Sequence, residues 1–321
     1  MMIQLRMYPQ NEPDTDTSFS FSGHETFPLR YGWLKKGIDA ASHDHALFSD
    51  ERAMVKLGVG RNMVRSIRHW CLTAGLVQEI QRGHLTPTDL GRSIFLDDGF
   101  DPYLQDPATL WLIHWKITSN IRMATTWFLV FNYLTGAEFT KEMLVSEIQA
   151  YLQKLQYKQI SGNTIARDVD CFIRTYVNSR QTKSAVLEDT LDCPLVDLRI
   201  ISESTDGRMY QFQRGPQLSL PDEIFVFALL EFWRATARQG EAMAFKEIAY
   251  EPGSPGRIFK LDEDSLVSRL ERIETVSDSL LTYDETAGMK QVYKRSDKTI
   301  EPLKLLEAYY CDLSISALLA S

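Results

Sequence analysis

The sequence predicts a mainly α protein with small β-hairpins, built from multiple winged helix-turn-helix modules. Three observations predict it. Residues 61–74 pattern as a helix with one apolar and one cationic side. A glycine turn precedes that helix and a short alternating hairpin follows it. A helix-turn-helix pattern recurs over 140–177 and, more weakly, over 245–295. With 321 residues the chain has room for three segments. The expected division is an N-terminal arm, winged helix-turn-helix and core helices over 1–135, a second helix-turn-helix-like domain over 136–220, and a C-terminal winged-helix-like domain over 221–321.

Residues 1–20 read as a polar arm. FSGHETFPLRYGWLKKGIDAA (21–41) reads as a loop entering a helix after Pro28, since proline suits a first helical turn. Ser49 is placed to cap a following helix that ends at Gly58, with Asp50 and Glu51 favourable near its N-terminus. A second helix runs from Arg61 to Ala74. At about 100° per residue, Met63, Val64, Ile67, Trp70, Cys71 and Ala74 share one stripe. Arg61, Arg65 and Arg68 fall opposite, with Asn62 and His69 beside them, and the helix itself puts no carboxylate there. Gly75 ends it. LVQEI and His84-Leu85-Thr86 then alternate around a Gln81-Arg82-Gly83 turn, which places Arg82 at the tip of a wing. A glycine turn permits the angle between two helices, and a groove-inserted helix needs an apolar inner face and a cationic outer one. The competing account is a helical hairpin with a solvated charged face.

Residues 109–117 and 125–134 read as core helices, with His114 a hydrogen-bonded core histidine. Thr140 caps a helix over 140–156, and Ser161 starts another to Val177. On the latter, Ile165, Val169, Phe172, Ile173 and Tyr176 share a face, while Asn163, Arg167 and Arg174 share the opposite one beside Asp170, which repels phosphates. Residues 186–216 read as irregular with a strand at 209–212. A long helix follows Pro221. Farther on come a short helix at 245–250, a Pro/Gly loop at 251–256, a helix at 262–273 and strands at 276–282 and 289–295. Asp262, Glu263, Asp264, Glu271 and Glu274 suit that last unit to protein rather than DNA.

The net charge of −8 argues against nucleic acid only if charge is evenly spread. It is not: residues 52–92 carry seven cations, Arg52 and Lys56 among them, against two carboxylates, and residues 154–183 carry six against two. No apolar run approaches the ~20 residues that span a bilayer, and no signal peptide is recognisable, so a cytoplasmic protein without membrane contact is expected. Cys71, Cys171, Cys193 and Cys311 form no C-x-x-C pair, which argues against zinc ribbon and redox motifs. The phosphate-binding loop G-x-x-x-x-G-K-[ST], H-E-x-x-H and G-x-S-x-G are absent, so no nucleotide cofactor is expected. Asp170 with Gln181-Thr182-Lys183 comes nearest to a nuclease pattern, but a helix is the wrong setting for that acid.

Two small groups carry chemistry-bearing side chains. F-S-G-H-E-T-F (21–27) sets His24 and Glu25 beside a glycine and two hydroxyls. This group suits proton transfer or a divalent metal for phosphodiester cleavage. It equally suits a structural loop in which Ser22 and Thr26 cap a turn and Glu25 pairs with Arg30. His43-Asp44-His45 binds a metal only if both rings converge.

The opening FSGHETF resembles that of an uncharacterised-domain family encoded beside bacterial DNA phosphorothioation genes. LGVGRNMVRSIRHW (57–70), LWLIHW (110–115) and QFQRGPQLSLPDEIFVFALLEFW (211–233) resemble it too. The resemblance implies a component of a single-strand phosphorothioation system that defends against phage: a DNA-nicking partner using Mg²⁺ or Mn²⁺, with His24 and Glu25 as the chemically suited residues. It also implies cysteine desulfurase, sulfur-transfer and ATPase subunits as partners beside double-stranded DNA. A homodimer would suit a palindromic site. Two other readings stay open: a non-catalytic regulator or DNA adaptor of the same cluster, and a protein-interaction scaffold.

Overall fold

A computed structural model describes residues 18–178, 193–236, 240–286, 288–298 and 301–320, with backbone alone from 314. Residues 1–17 of the expected arm and the Gln181–Lys183 triplet lie outside the described residues. The chain divides into two units, 1–213 and 214–321.

The first unit begins with α1 (Trp33–His43), α2 (Ala53–Leu57), α3 (Arg61–Thr73), a hairpin of β1 (Val77–Gln81) and β2 (His84–Pro87), and α4 (Asp89–Phe95). Gly32 at φ 74° delays α1 beyond the expected start after Pro28. Gly58, at φ 64°, turns α2 into α3. Ser49 caps no α-helix. It ends a short 3-10 turn and donates its hydroxyl to the Gly83 carbonyl at the hairpin tip. Then come α5 (Pro107–Thr118), α6 (Thr125–Tyr133), β3 (Glu138–Phe139), α7 (Lys141–Lys154), α8 (Gly162–Tyr176), β4 (Ile201–Glu203) and β5 (Tyr210–Phe212). Thr140 caps α7 and Ser161 caps α8 through their hydroxyls, as expected.

Segments 1–135 and 136–213, expected as parts of separate domains, share one core. Trp70 of α3 meets Trp127 of α6 edge-on at 5.3 Å, and Trp127 meets Phe172 of α8 at 5.9 Å. Phe131 of α6 then touches Phe172 and, at 5.3 Å, Phe212 of β5. His114 is fully buried and bonds the Tyr176 hydroxyl at 2.9 Å, the core histidine its apolar neighbours predicted. Burying such large rings is worth about 2–3 kcal/mol each, so this aromatic chain opposes separation of α3 from α8.

The second unit comprises α9 (Asp222–Ala235), β6 (Ala242–Ala244), α10 (Phe245–Tyr250), α11 (Pro255–Ile258), α12 (Glu263–Glu271), α13 (Ile273–Val276), β7 (Leu281–Thr286), β8 (Met289–Lys294) and α14 (Pro302–Ala320). Three expectations shift. The Pro/Gly loop holds over 251–254 but its last two residues enter α11, because Ser254 caps that helix and Pro255 occupies its first turn. The strand expected at 276–282 starts at Leu281, because Asp278 and Ser279 turn through left-handed conformations. The C-terminal α14, packed on α9 with Leu305 and Leu306 buried, had no counterpart in the sequence reading.

Both units repeat one topology. In the first, β3 precedes two helices, α7 and α8, and a hairpin follows, giving strand order β3-β5-β4; in the second, four short helices, α10 to α13, separate β6 from the hairpin, and the order is β6-β8-β7. Each sheet thus inserts its last strand between the other two, all antiparallel.

Candidate nucleic-acid interface

The FSGHETF loop is a tight double turn. Ser22 accepts from the Glu25 N–H at 3.0 Å and His24 from the Phe27 N–H at 2.9 Å. Three non-glycine residues are left-handed, Ser22 at φ 66°, Glu25 at 50° and Thr26 at 64°. Each costs about 1–2 kcal/mol, so the surroundings must impose the shape.

Asp168 of α8 does much of this. Its Oδ1 accepts the Ser22 N–H at 2.6 Å and the His24 Nε2 hydrogen at 2.7 Å, and its Oδ2 accepts the Thr126 hydroxyl at 2.6 Å. The His24 and Asp168 side chains are each 2% exposed. His24 also stacks on Trp70 and meets Trp127 edge-on. The Thr26 N–H donates to His24 Nδ1 at 3.1 Å, so Nε2 carries the ring hydrogen. Both nitrogens are therefore committed. In this arrangement the Nδ1 lone pair accepts the Thr26 N–H and the Nε2 hydrogen goes to Asp168, so His24 positions the loop.

His69 also turns inward, contrary to its expected place on the groove face. It is 6% exposed, and burial pushes its pKa down to about 3. Gly23 seals it: a Cβ there would stand 2.7 Å from His69 Nδ1. His69 lies at the border of the α3 stripe, and a loop distant in sequence buries it.

The outer faces of α3 and α8 are exposed, and the loop joins them. On α3, Arg61, Asn62 and Arg65 are exposed and Arg68 partly so. Glu25 reaches Arg65 at 3.3 Å, in place of the Arg30 partner expected from sequence. Arg30 instead stands over the rings of Phe27 and Trp33. On α8, Asn163, Arg167 and Arg174 are exposed, and Arg174 donates to the Thr26 carbonyl at 2.6 Å. Glu25 and Thr26, consecutive residues, thus hold Arg65 of one helix and Arg174 of the other.

Neighbouring elements supply the carboxylates that α3 lacks. Arg61 faces Glu51 at 3.9 Å and Arg68 faces Glu79 at 3.3 Å. Arg52 pairs with Asp50, Lys56 with Asp44, and Asp170 with Lys141. Such exposed pairs are worth about 0–1 kcal/mol, so they leave the arginines open to exchange for a stronger anion. Arg82 is exposed at the hairpin tip.

The sequence reading missed Asp168 and Thr126. The signal was an acid three residues after Ile165 and four before Phe172, on the apolar side of α8. His43 and His45 do not converge: their Nδ1 atoms bond different carbonyls, Asp39 at 2.7 Å and Leu85 at 2.9 Å. Among the described residues no group of three or more His, Cys, Asp or Glu is arranged to hold a metal. No helix among them is long and apolar enough to cross a membrane.

Two crystal structures resemble the chain over nearly its full length. One is of SspB, at 28% identity and TM-score 0.83, covering 92% of this chain and 89% of that one. The other is of magnesium ion-bound SspB, at 29% identity and TM-score 0.81 with the same coverage. No curated protein matches. Residues 21–310 match a family described as proteins of unknown function, DUF4007, and the match starts at the first residue of FSGHETF. The chain belongs to the DUF4007 family.

Proposed function

We propose that this chain is the DNA-binding component of a bacterial phosphorothioation defence system, holding double-stranded DNA across the outer faces of α3 and α8. The system is inferred from the motif resemblance together with the likeness to SspB. One observation carries the DNA reading: Glu25 and Thr26 tie Arg65 and Arg174 to one strained loop, so two cationic helix faces become one surface. The recurring three-stranded sheet, in which helices separate the first strand from a closing hairpin, supports winged helix-turn-helix modules. Cysteine desulfurase, sulfur-transfer and ATPase subunits are the partners this reading implies.

Salt dependence of DNA binding tests it. Every phosphate that the protein no longer neutralises lowers the slope of log K against log salt by about 0.9. Replacing Arg61, Arg65 and Arg68 with alanine together should weaken binding on all sequences and flatten that slope by roughly two to three. An unchanged slope discards α3 as the contact surface.

Nicking of one strand is the second reading, favoured by the magnesium-bound form of SspB. Magnesium takes one or two carboxylates and substrate phosphates while keeping much of its water. Within the loop only Glu25 offers a carboxylate, and Arg65 holds it. Glu25 is therefore the loop carboxylate that a magnesium ion bridging to a DNA phosphate would use, at the expense of its Arg65 partner. A supercoiled-plasmid assay with and without Mg²⁺ or Mn²⁺ separates the readings. Metal-dependent open circles establish a nickase, whereas a gel shift without them leaves a regulator or adaptor.

A further inference from the structure

Beside the N-terminus of α8 lies an open groove of about 510 Å³ that the DNA reading does not use. Its walls are the end of α7, the 157–160 connection and the start of α8. Three carboxamides line it, Gln149, Gln153 and Gln159, with Tyr157, Lys158 and an apolar floor at Ile165. No carboxylate lines it. Gln149 lies over the first turn of α8, its Nε2 3.2 Å from where a Cβ on Gly162 would stand. The Lys158 ammonium stands 5.6 Å from the centre of the Tyr157 ring. Tyr157 is fixed in turn: its hydroxyl accepts the Phe19 N–H at 3.2 Å, and its ring packs edge-on against Phe19 at 4.8 Å.

We infer that this groove receives a single nucleobase displaced from the DNA stack. A carboxamide offers a donor and an acceptor side by side, which matches the edge of a base and pairs bidentately with adenine. A displaced base is read by hydrogen bonds to its edge against aromatic and apolar walls. The rim amides, Tyr157 and the Ile165 floor supply these, and Lys158 supplies a cation for the phosphate of the same nucleotide. The absence of carboxylates from the lining removes the repulsion that Asp170 imposes farther along α8. The groove also continues the proposed surface: Gly162 at its edge adjoins exposed Asn163, the first of the outward residues Asn163, Arg167 and Arg174. From Asn163 to Arg174 the helix rises about 17 Å. That is about five nucleotides of a strand at 3.4 Å each. A strand held at Arg174 therefore reaches the groove without leaving α8.

The inference rests on the DNA reading, and the test separates the two. Two short duplexes are compared by fluorescence anisotropy, one fully paired and one with a single unpaired adenine. The unmodified full chain should bind the bulged duplex roughly tenfold more tightly, the discrimination one good bidentate pair supplies. The double variant Gln149→Ala/Gln153→Ala removes two exposed side chains of α7. It should erase the preference while binding the paired duplex within about twofold of the original, because the phosphate contacts that set paired-duplex affinity remain. Equal affinity of the original chain for both duplexes overturns the base site and leaves the DNA surface standing. A preference that survives in the double variant also overturns it. Failure to bind either duplex refutes the DNA reading, and the base site with it.

Discussion

Asp168→Ala tests what holds the FSGHETF loop. The substitution removes the acceptor of three hydrogen bonds, from the Ser22 N–H at 2.6 Å, His24 Nε2 at 2.7 Å and the Thr126 hydroxyl at 2.6 Å. A buried donor left without its partner costs about 1–3 kcal/mol. The Thr126 hydroxyl is free to rotate, so the firm losses are two, one backbone and one ring N–H. Relief of the carboxylate's own desolvation offsets part of this. The expected loss is about 3 kcal/mol, felt first in the loop, which already carries three left-handed non-glycine residues. Asp168→Asn is the informative control. Ser22 and His24 both donate to Oδ1, so an amide oxygen at that position keeps both bonds. Only Thr126 must reverse its hydroxyl to accept from the new amide, at a cost of about 1 kcal/mol. Chemical denaturation gives the global loss, and hydrogen exchange of the peptide covering 19–27 gives the local one. Asparagine as costly as alanine would refute the acceptor geometry and point to charge itself. Alanine within about 1 kcal/mol of the original would show that Asp168 does not hold the loop.

Three further outcomes follow from the same site. Gly23→Ala should destabilise by about 1–3 kcal/mol through collision with the His69 ring, and a smaller residue at 69 should reduce that penalty in a double-mutant cycle. His69 has a folded pKa of about 3 against 6.5 for a free histidine, because burial disfavours the cation. The unfolded chain therefore takes the proton first: full stability holds above pH 6.5, and lowering the pH to 5 costs about 2 kcal/mol, a slope that His69→Gln should flatten in denaturation curves across that range. Glu25→Gln frees Arg65 and should tighten DNA binding severalfold in anisotropy titrations; weaker binding would mean that Glu25 orders Arg65 for its phosphate rather than masking it.

Most of the helices were legible because each carries its own boundary chemistry. Thr140, Ser161 and the turn at Gly58 act within a few residues, and the apolar stripes of α3 and α8 follow the helical repeat. What failed to show depended on partners distant in sequence. The three-residue β6 is too short to alternate, and it forms because β8 pairs with it at Met243–Val292. The merging of residues 1–135 with those that follow was equally hidden, since Trp70, Trp127 and Phe172 reveal nothing of one another in the linear chain.

The site divides along the same line, and the division bears on its chemistry. Exposed arginines on one side of α3 are a local property, so the cationic faces were readable. The fate of His24 was not local: a histidine beside a glutamate and two hydroxyls resembles a catalytic group until Asp168, more than a hundred residues on, takes its Nε2 hydrogen. Asp168 itself carried a readable signal, an acid on the apolar stripe of its helix, and a buried carboxylate needs partners. Those partners proved to be the loop's backbone, the histidine and Thr126. The motif's most chemically suggestive residue thus supports the loop from beneath, while Glu25 and Thr26 face outward to the two cationic helices. On the outer surface, where the DNA is proposed to lie, Glu25 is accessible and His24 is not.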